Sequence, residues 1–148
     1  MTQFLRRLIA LRRAHPVLHR RRFLHGRDAS PDGTIDIAWY APTGEEMKPP
    51  QWQDPHARCV GLFLNGRARP DVGSDGTPAT DGAFLLLMNA FHETVEFTLP
   101  VLPTCAGWTR RLDTSEPALA EPGTPHPMGE PYPLPGRTLV LFQMVEEG

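Results

Sequence analysis

Hydrolysis by carboxylates needs two acids held across a cleft at a defined separation. Glu45 and Glu46 are adjacent in a polar stretch, where neighbouring side chains diverge, so a solvated loop is their expected role. Asp71, Asp75 and Asp81, with Gly76, faintly resemble a calcium loop, but Gly82 stands where the closing bidentate glutamate belongs. His15 and His19 have the i, i+4 spacing of a helical metal face, yet Pro16 interrupts it, and capping the end of a basic helix suits His15 better. His25, His56, His92 and His126 are scattered. Cys59 and Cys105 make no zinc pattern and read as reduced, buried, apolar side chains. Gly73-Ser-Asp-Gly76 lacks the spacing of a nucleophile elbow, and no phosphate loop or dinucleotide fingerprint is present. No catalytic residue, metal ligand or cofactor is therefore expected in this chain.

What remains is recognition chemistry. An indole plane suits the apolar C–H face of a sugar ring, and the chain has Trp39, Trp52 and Trp108. Trp39 and Trp108 sit in strand-like patterns and are expected in the core. Trp52 lies in a loop and alone of the three suits a surface platform for a sugar ring, with anchoring of its own loop as the favoured role. Charge is uneven: eight arginines and no acid fall within Met1–Arg27, so a net charge of −2 leaves −10 on the remainder. Such an arm suits nucleic acid or an acidic protein neighbour.

The elements that carry these residues follow from pattern. Phe4, Leu8 and Leu11 recur at i, i+4 and i+7, with Leu5 and Ile9 beside them, which predicts a helix from Thr2 to His15 with Thr2 as N-cap. Pro16 ends it. A helix this short is marginal alone and needs a partner for its apolar face. Strands are expected at 34–40, where Ile35, Ile37 and Trp39 share one face, and at 58–64, 83–90, 94–99, 107–112 and 138–145. The strands at 83–90 and 94–99 read as a hairpin about Phe91-His92-Glu93, and 42–55, 65–82 and 113–131 read as loops. With 148 residues, 17 Pro and 13 Gly, the chain suits one mainly β domain, an antiparallel β-sandwich preceded by one amphipathic helix. No run of 18 apolar residues exists, and Arg6 and Arg7 interrupt the stretch from Phe4 to Leu11, so neither a membrane span nor a signal peptide is expected and the location is expected to be cytoplasmic.

Several blocks in order resemble a known family. They are Leu8-Ile-Ala-Leu-Arg-Arg-Ala-His-Pro-Val-Leu18 with Arg20-Arg-Arg-Phe23, Asp36-Ile-Ala-Trp39, Gly44-Glu-Glu-Met47 with Trp52, and Leu62-Phe-Leu-Asn-Gly66. Phe84-Leu-Leu-Leu-Met-Asn-Ala90 with Val95-Glu-Phe-Thr-Leu-Pro100, Trp108 to Asp113, and Leu134-Pro-Gly-Arg-Thr138 complete the series. Together they resemble the end of bacterial glycogen debranching enzymes, the isoamylase-type members of glycoside hydrolase family 13. The resemblance implies a Greek-key sandwich of the α-amylase C-terminal type at 27–148, with residues 1–26 as the last helix of a (β/α)8 barrel and its exit. It implies that the catalytic Asp nucleophile, Glu acid/base and supporting Asp lie on barrel strands before residue 1, and no residue here matches their motifs. The whole enzyme would cleave α-1,6 branches of glycogen or limit dextrin with retention.

On this reading Phe4, Leu5, Leu8, Ile9 and Leu11 pack on the barrel, which is the principal partner. Two rivals stand beside it: a free-standing α-glucan-binding module, which calls for an exposed aromatic row, and a basic-arm nucleic-acid adaptor, which calls for a continuous basic surface. The chain begins almost at the helix start, as an excised domain, a truncated gene product or a separate subunit would.

Overall fold

A computed structural model describes residues 2–19, 24–26, 28–68, 71–72, 78–79, 82–118 and 123–147. Helix α1 (Thr2–Ala14) runs into a 3-10 turn (Pro16–His19), followed by β1 (Ile37–Tyr40), the one-turn helix α2 (Pro49–Trp52) and β2 (Cys59–Asn65). Then come β3 (Asp71–Val72), β4 (Pro78–Ala79), β5 (Ala83–Asn89), β6 (Val95–Thr98), β7 (Cys105–Asp113), β8 (Pro131–Leu134) and β9 (Thr138–Glu146). Five strands form one antiparallel sheet in the order β1-β2-β5-β9-β7, and β6 pairs with β8 in a smaller one. The expected mainly β, antiparallel sandwich forms, with very unequal layers. β3 and β4 make a small ladder inside the segment expected to be loop.

Strand alternation sorts the large sheet into two faces. Ala38, Phe63, Leu85 and Phe142 stand in one register row on the inner face, and all are buried. Phe97, Leu99, Tyr132 and Leu134 close over them from the smaller layer, with Trp108 fully buried among them. The Trp108 indole N–H donates to the Pro100 carbonyl at 3.2 Å, so this large core residue also satisfies its polar atom. Its backbone exchanges bonds of 2.8 and 2.7 Å with His126, which runs beside β7. The outer face is apolar as well, with Trp39, Leu62, Leu86, Leu141 and Leu112 in one row. Helix α1 and the turn after it cover part of this face: Leu11 and Val17 are buried with Phe84, Leu112 and Leu141, and Phe4 is partly buried against them.

Two expectations are corrected here. The first strand begins at Ile37, and its buried side carries Ala38 and Tyr40 while Trp39 points out and stays exposed. Both faces of this sheet are apolar, so alternation alone did not identify the inner one. The second correction concerns 83–99, which is no hairpin: β5 lies in the large sheet and β6 in the small one. Buried Asn89 directs the crossing. Its Nδ2 donates to the carbonyls of Glu93, Leu134 and Pro135 at 3.0, 3.1 and 3.1 Å, while its Oδ1 accepts the Phe91 N–H at 2.9 Å. Those bonds replace the ladder a hairpin would have made. β8, a strand beyond those expected that begins at the end of the 113–131 loop, tolerates Pro131 and Pro133 because it pairs on one side only, with β6.

The other recognisable blocks are also junctions. Buried Asn65 donates from Nδ2 to the Ser30 hydroxyl at 3.2 Å and the Thr34 carbonyl at 3.0 Å. Buried Asp36 accepts the N–H groups of Ile37 and His25 at 2.9 and 3.1 Å. Near them Asp32 accepts from Arg67 (3.0 Å), the Thr104 hydroxyl (2.8 Å), the Ser30 hydroxyl (2.5 Å) and the Thr34 N–H (2.9 Å). Burial opposes the charge on Asp32, but the bonds from Ser30, Thr34 and Thr104 together outweigh it and hold the carboxyl well below the usual carboxylate range. A depressed folded pKa adds stability above the unfolded value, about 4, and that stability is lost as pH falls through the folded one. The melting temperature is therefore expected to fall on acidification below about pH 4. Asp32→Asn should be less stable at pH 7 and lose less between pH 4 and pH 2; thermal melts across that range check this, and equal acid slopes would exclude Asp32 as a source.

Candidate functional site

The helix face expected to pack on one partner is divided in two. Leu11 and Phe4 turn to the sheet. Leu5, Leu8 and Ile9 are 54%, 39% and 42% exposed. Helix α1 thus has one apolar side against its own sheet and another open. The exposed arginines Arg6, Arg12 and Arg13 lie among these residues, and the Arg7 guanidinium donates to the Pro117 carbonyl. Arg20, Arg21, Arg22 and Arg27 lie outside the described residues. His15 sets its ring edge-on to Phe84 at 4.7 Å, so it contributes packing at the helix end.

The second surface is built by the segment 41–58 at the β1 edge of the large sheet. Gly44 takes φ +85, and a Cβ there would stand 3.0 Å from the Thr98 carbonyl oxygen, so the turn requires glycine. Ala41 donates to Glu45 and Met47 donates to Trp39, both at 2.8 Å, which brings the returning chain alongside β1. Pro49 opens α2, and Gln51 Oε1 accepts the Lys48 N–H at 2.8 Å, satisfying a donor at the helix start. The result sets Trp52 against Trp39, ring centroids 5.6 Å apart and planes at 78°. Both remain open, Trp39 36% and Trp52 53% exposed.

Beside this pair lies a recess of about 320 Å³, lined by Trp52, Gln51, Asp54, Arg58, Val60 and Met88 among others. It adjoins a cleft of about 560 Å³ that shares Met47, Gln51, Asp54 and Arg58 and reaches His56, Phe91 and Val95. The Arg58 guanidinium carbon is 5.6 Å from the Phe91 ring centre, a cation–π distance that fixes that wall. Volumes of this order suit a small ligand. Cys59 lines both hollows, and burial pushes its thiol up to about 11, so it is a protonated wall and not a nucleophile. Burial likewise raises Cys105. Both cysteines are free and buried.

Glu45 and Glu46 are exposed. Asp75, Gly76 and Asp81 lie outside the described residues, whereas Asp71 falls in β3. Among the described residues no three metal-ligating side chains gather, and no helix is long and apolar enough to cross a membrane. The structure therefore brings Trp52 together with Trp39, a residue expected in the core, on the surface, whereas Trp108 is fully buried. The available signal was the alternation of 35–40, read on the wrong face.

Residues 36–143 match a family model described as Isoamylase, C-terminal. Over 115 residues the chain is 41% identical to the Glycogen operon protein GlgX homolog of Mycobacterium tuberculosis and equally to that of Mycobacterium bovis, covering 77% of this chain and 16% of each of theirs. The Isoamylase of Pseudomonas amyloderamosa is 28% identical over 113 residues, covering 76% of this chain and 12% of that enzyme. The matched stretch thus spans about one-sixth of the length of the mycobacterial relatives.

Proposed function

This chain belongs to the isoamylase C-terminal family, and from that premise we propose that it is the non-catalytic C-terminal β-sandwich of a glycogen-debranching α-1,6-glucosidase, stabilising the catalytic barrel. Residues 1–26 form the last barrel helix and its exit, and 27–148 form the sandwich. The observation that supports this most is the divided helix. One side holds the sheet through Phe4 and Leu11, while Leu5, Leu8 and Ile9 face outward as an apolar strip. A helix shared by two domains needs two such sides. Covering three half-exposed aliphatic side chains is worth roughly 1 kcal/mol each, enough to bias a domain interface. Arg6, Arg12 and Arg13 then meet acidic groups of the barrel or solvent, and nucleic acid is not the partner. Branch cleavage belongs to the carboxylates of the barrel. The sandwich contributes rigidity to that barrel, in the cytoplasm, and glycogen or limit dextrin reaches the active site through the parent enzyme.

The test uses the barrel portion of a mycobacterial relative, truncated before the matched segment. Adding this chain should raise the melting temperature of that portion, and Leu8→Glu should remove the effect. No shift on adding the wild-type chain would overturn the reading. The pure chain should release no reducing ends from limit dextrin, and measurable debranching by it would overturn the non-catalytic assignment.

A further inference from the structure

We propose that the Trp39–Trp52 corner, with the recess beside it, is an α-glucan-binding subsite on this domain. The choice of α-glucan rests on the debranching-enzyme reading above; the site itself rests on geometry. Two tryptophans in mutual contact on a surface leave apolar area in water: Trp39 is 36% and Trp52 53% exposed. Anchoring is already provided by the Met47–Trp39 backbone bond and by the Lys48–Gln51 cap.

Planes at 78° present two aromatic surfaces that turn a corner. A flat β-linked chain fits a row of coplanar rings, whereas a curved α-linked chain can lay successive sugars on surfaces set at an angle. The adjoining recess supplies the rest of a sugar site. Val60 and Met88 give it apolar lining, and Gln51, Asp54 and Arg58 bring amide, carboxylate and guanidinium groups to it. Such groups pair with vicinal hydroxyls through two hydrogen bonds at once. Gln51 commits its Oε1 to Lys48, which leaves its amide nitrogen as the donor toward a sugar. The corner lies at the β1 edge of the outer face that α1 also covers, and α1 packs there with Leu112 of β7, Leu141 of β9 and Phe84 of β5, with Leu86 of β5 and Leu64 of β2 partly buried against them.

The test is affinity electrophoresis of the 148-residue chain in native gels containing glycogen, amylopectin or a β-1,4-glucan. Glycogen and amylopectin should retard the wild type, and the β-glucan should not. Trp52→Ala should weaken binding about tenfold, as truncating a central aromatic contact does, while the melting temperature falls by only a few degrees through loss of the ring pair with Trp39. Trp39→Ala should do the same; if it fails to fold, Trp52→Ala decides. Unretarded wild type, wild-type retardation of folded Trp52→Ala, or equal retardation by the β-glucan would each overturn the proposal. A chain that binds glycogen yet leaves the barrel portion unstabilised would count against the debranching-domain reading and leave this site standing, and the converse result would do the opposite.

Discussion

Asn89→Ala should unfold roughly 6–12 °C below the wild type, a loss of about 3 kcal/mol for a chain of this size. The substitution removes the donor that serves the carbonyls of Glu93, Leu134 and Pro135 and the acceptor that serves the Phe91 N–H. Asn89 is buried, so water does not readily replace those bonds, and each orphaned group carries a desolvation cost. Asn89→Asp separates this account from simple loss of volume. Its carboxylate would face the same carbonyl oxygens, which disfavours the charged form and raises the folded pKa above about 4. An acid with a raised folded pKa destabilises most at higher pH and less as pH falls. Asn89→Asp should therefore be worse than Asn89→Ala at pH 7 and recover toward it at pH 4. Melts of both variants at the two pH values check this, and an Asn89→Asp variant as stable as wild type at pH 7 would exclude the proposed network.

Gly136→Ala should cost about 3 kcal/mol or more, because the backbone has no room for it. A Cβ at Gly136 would stand 2.4 Å from the His92 carbonyl oxygen and 2.5 Å from its carbon. The obstacle is main chain, so no side-chain rotation relieves it. The segment is also held in place by the Arg137 N–H bond to the Phe91 carbonyl at 2.9 Å. Gly123→Ala is the control. Nothing lies within 4 Å of a Cβ there, and it should be neutral or slightly stabilising through the unfolded chain. The double variant Asn89→Ala/Gly136→Ala should lose less than the sum of its singles, since both break one crossing. Denaturant unfolding of the four proteins measures this coupling, and strict additivity would show that the two positions act independently.

These two positions explain why some sequence blocks were recognisable. Leu85-Leu-Leu-Met-Asn89 and Leu134-Pro-Gly136 are far apart in the chain and meet at one crossing. Asn65-Gly66 and Asp36 play the same part beside Ser30 and Thr34. The strands β2, β5 and β9 were legible because sheets apolar on both faces leave continuous hydrophobic runs. That same two-sidedness hid the orientation of Trp39. β8 was illegible because prolines usually speak against strands, and only its one-sided pairing makes Pro131 and Pro133 acceptable. The apolar residues of α1 were legible as a stripe. A stripe that wide serves one deep partner or two shallow ones, and periodicity does not distinguish them.

The backbone bonds beside Trp39 and Trp108 have a consequence for assembly. β1 and β7 are the outermost strands of the large sheet, where unpaired N–H and C=O groups would offer a template to another chain. Each edge is partly occupied by a short returning segment: Glu45 to Met47 beside β1, and His126 beside β7. Neither segment is long enough to count as a strand, yet both sit where a foreign strand would begin to add. The loop that carries Trp52 thus also acts as a stopper against sheet-to-sheet polymerisation. Shortening it would put the solubility of the whole sandwich at stake.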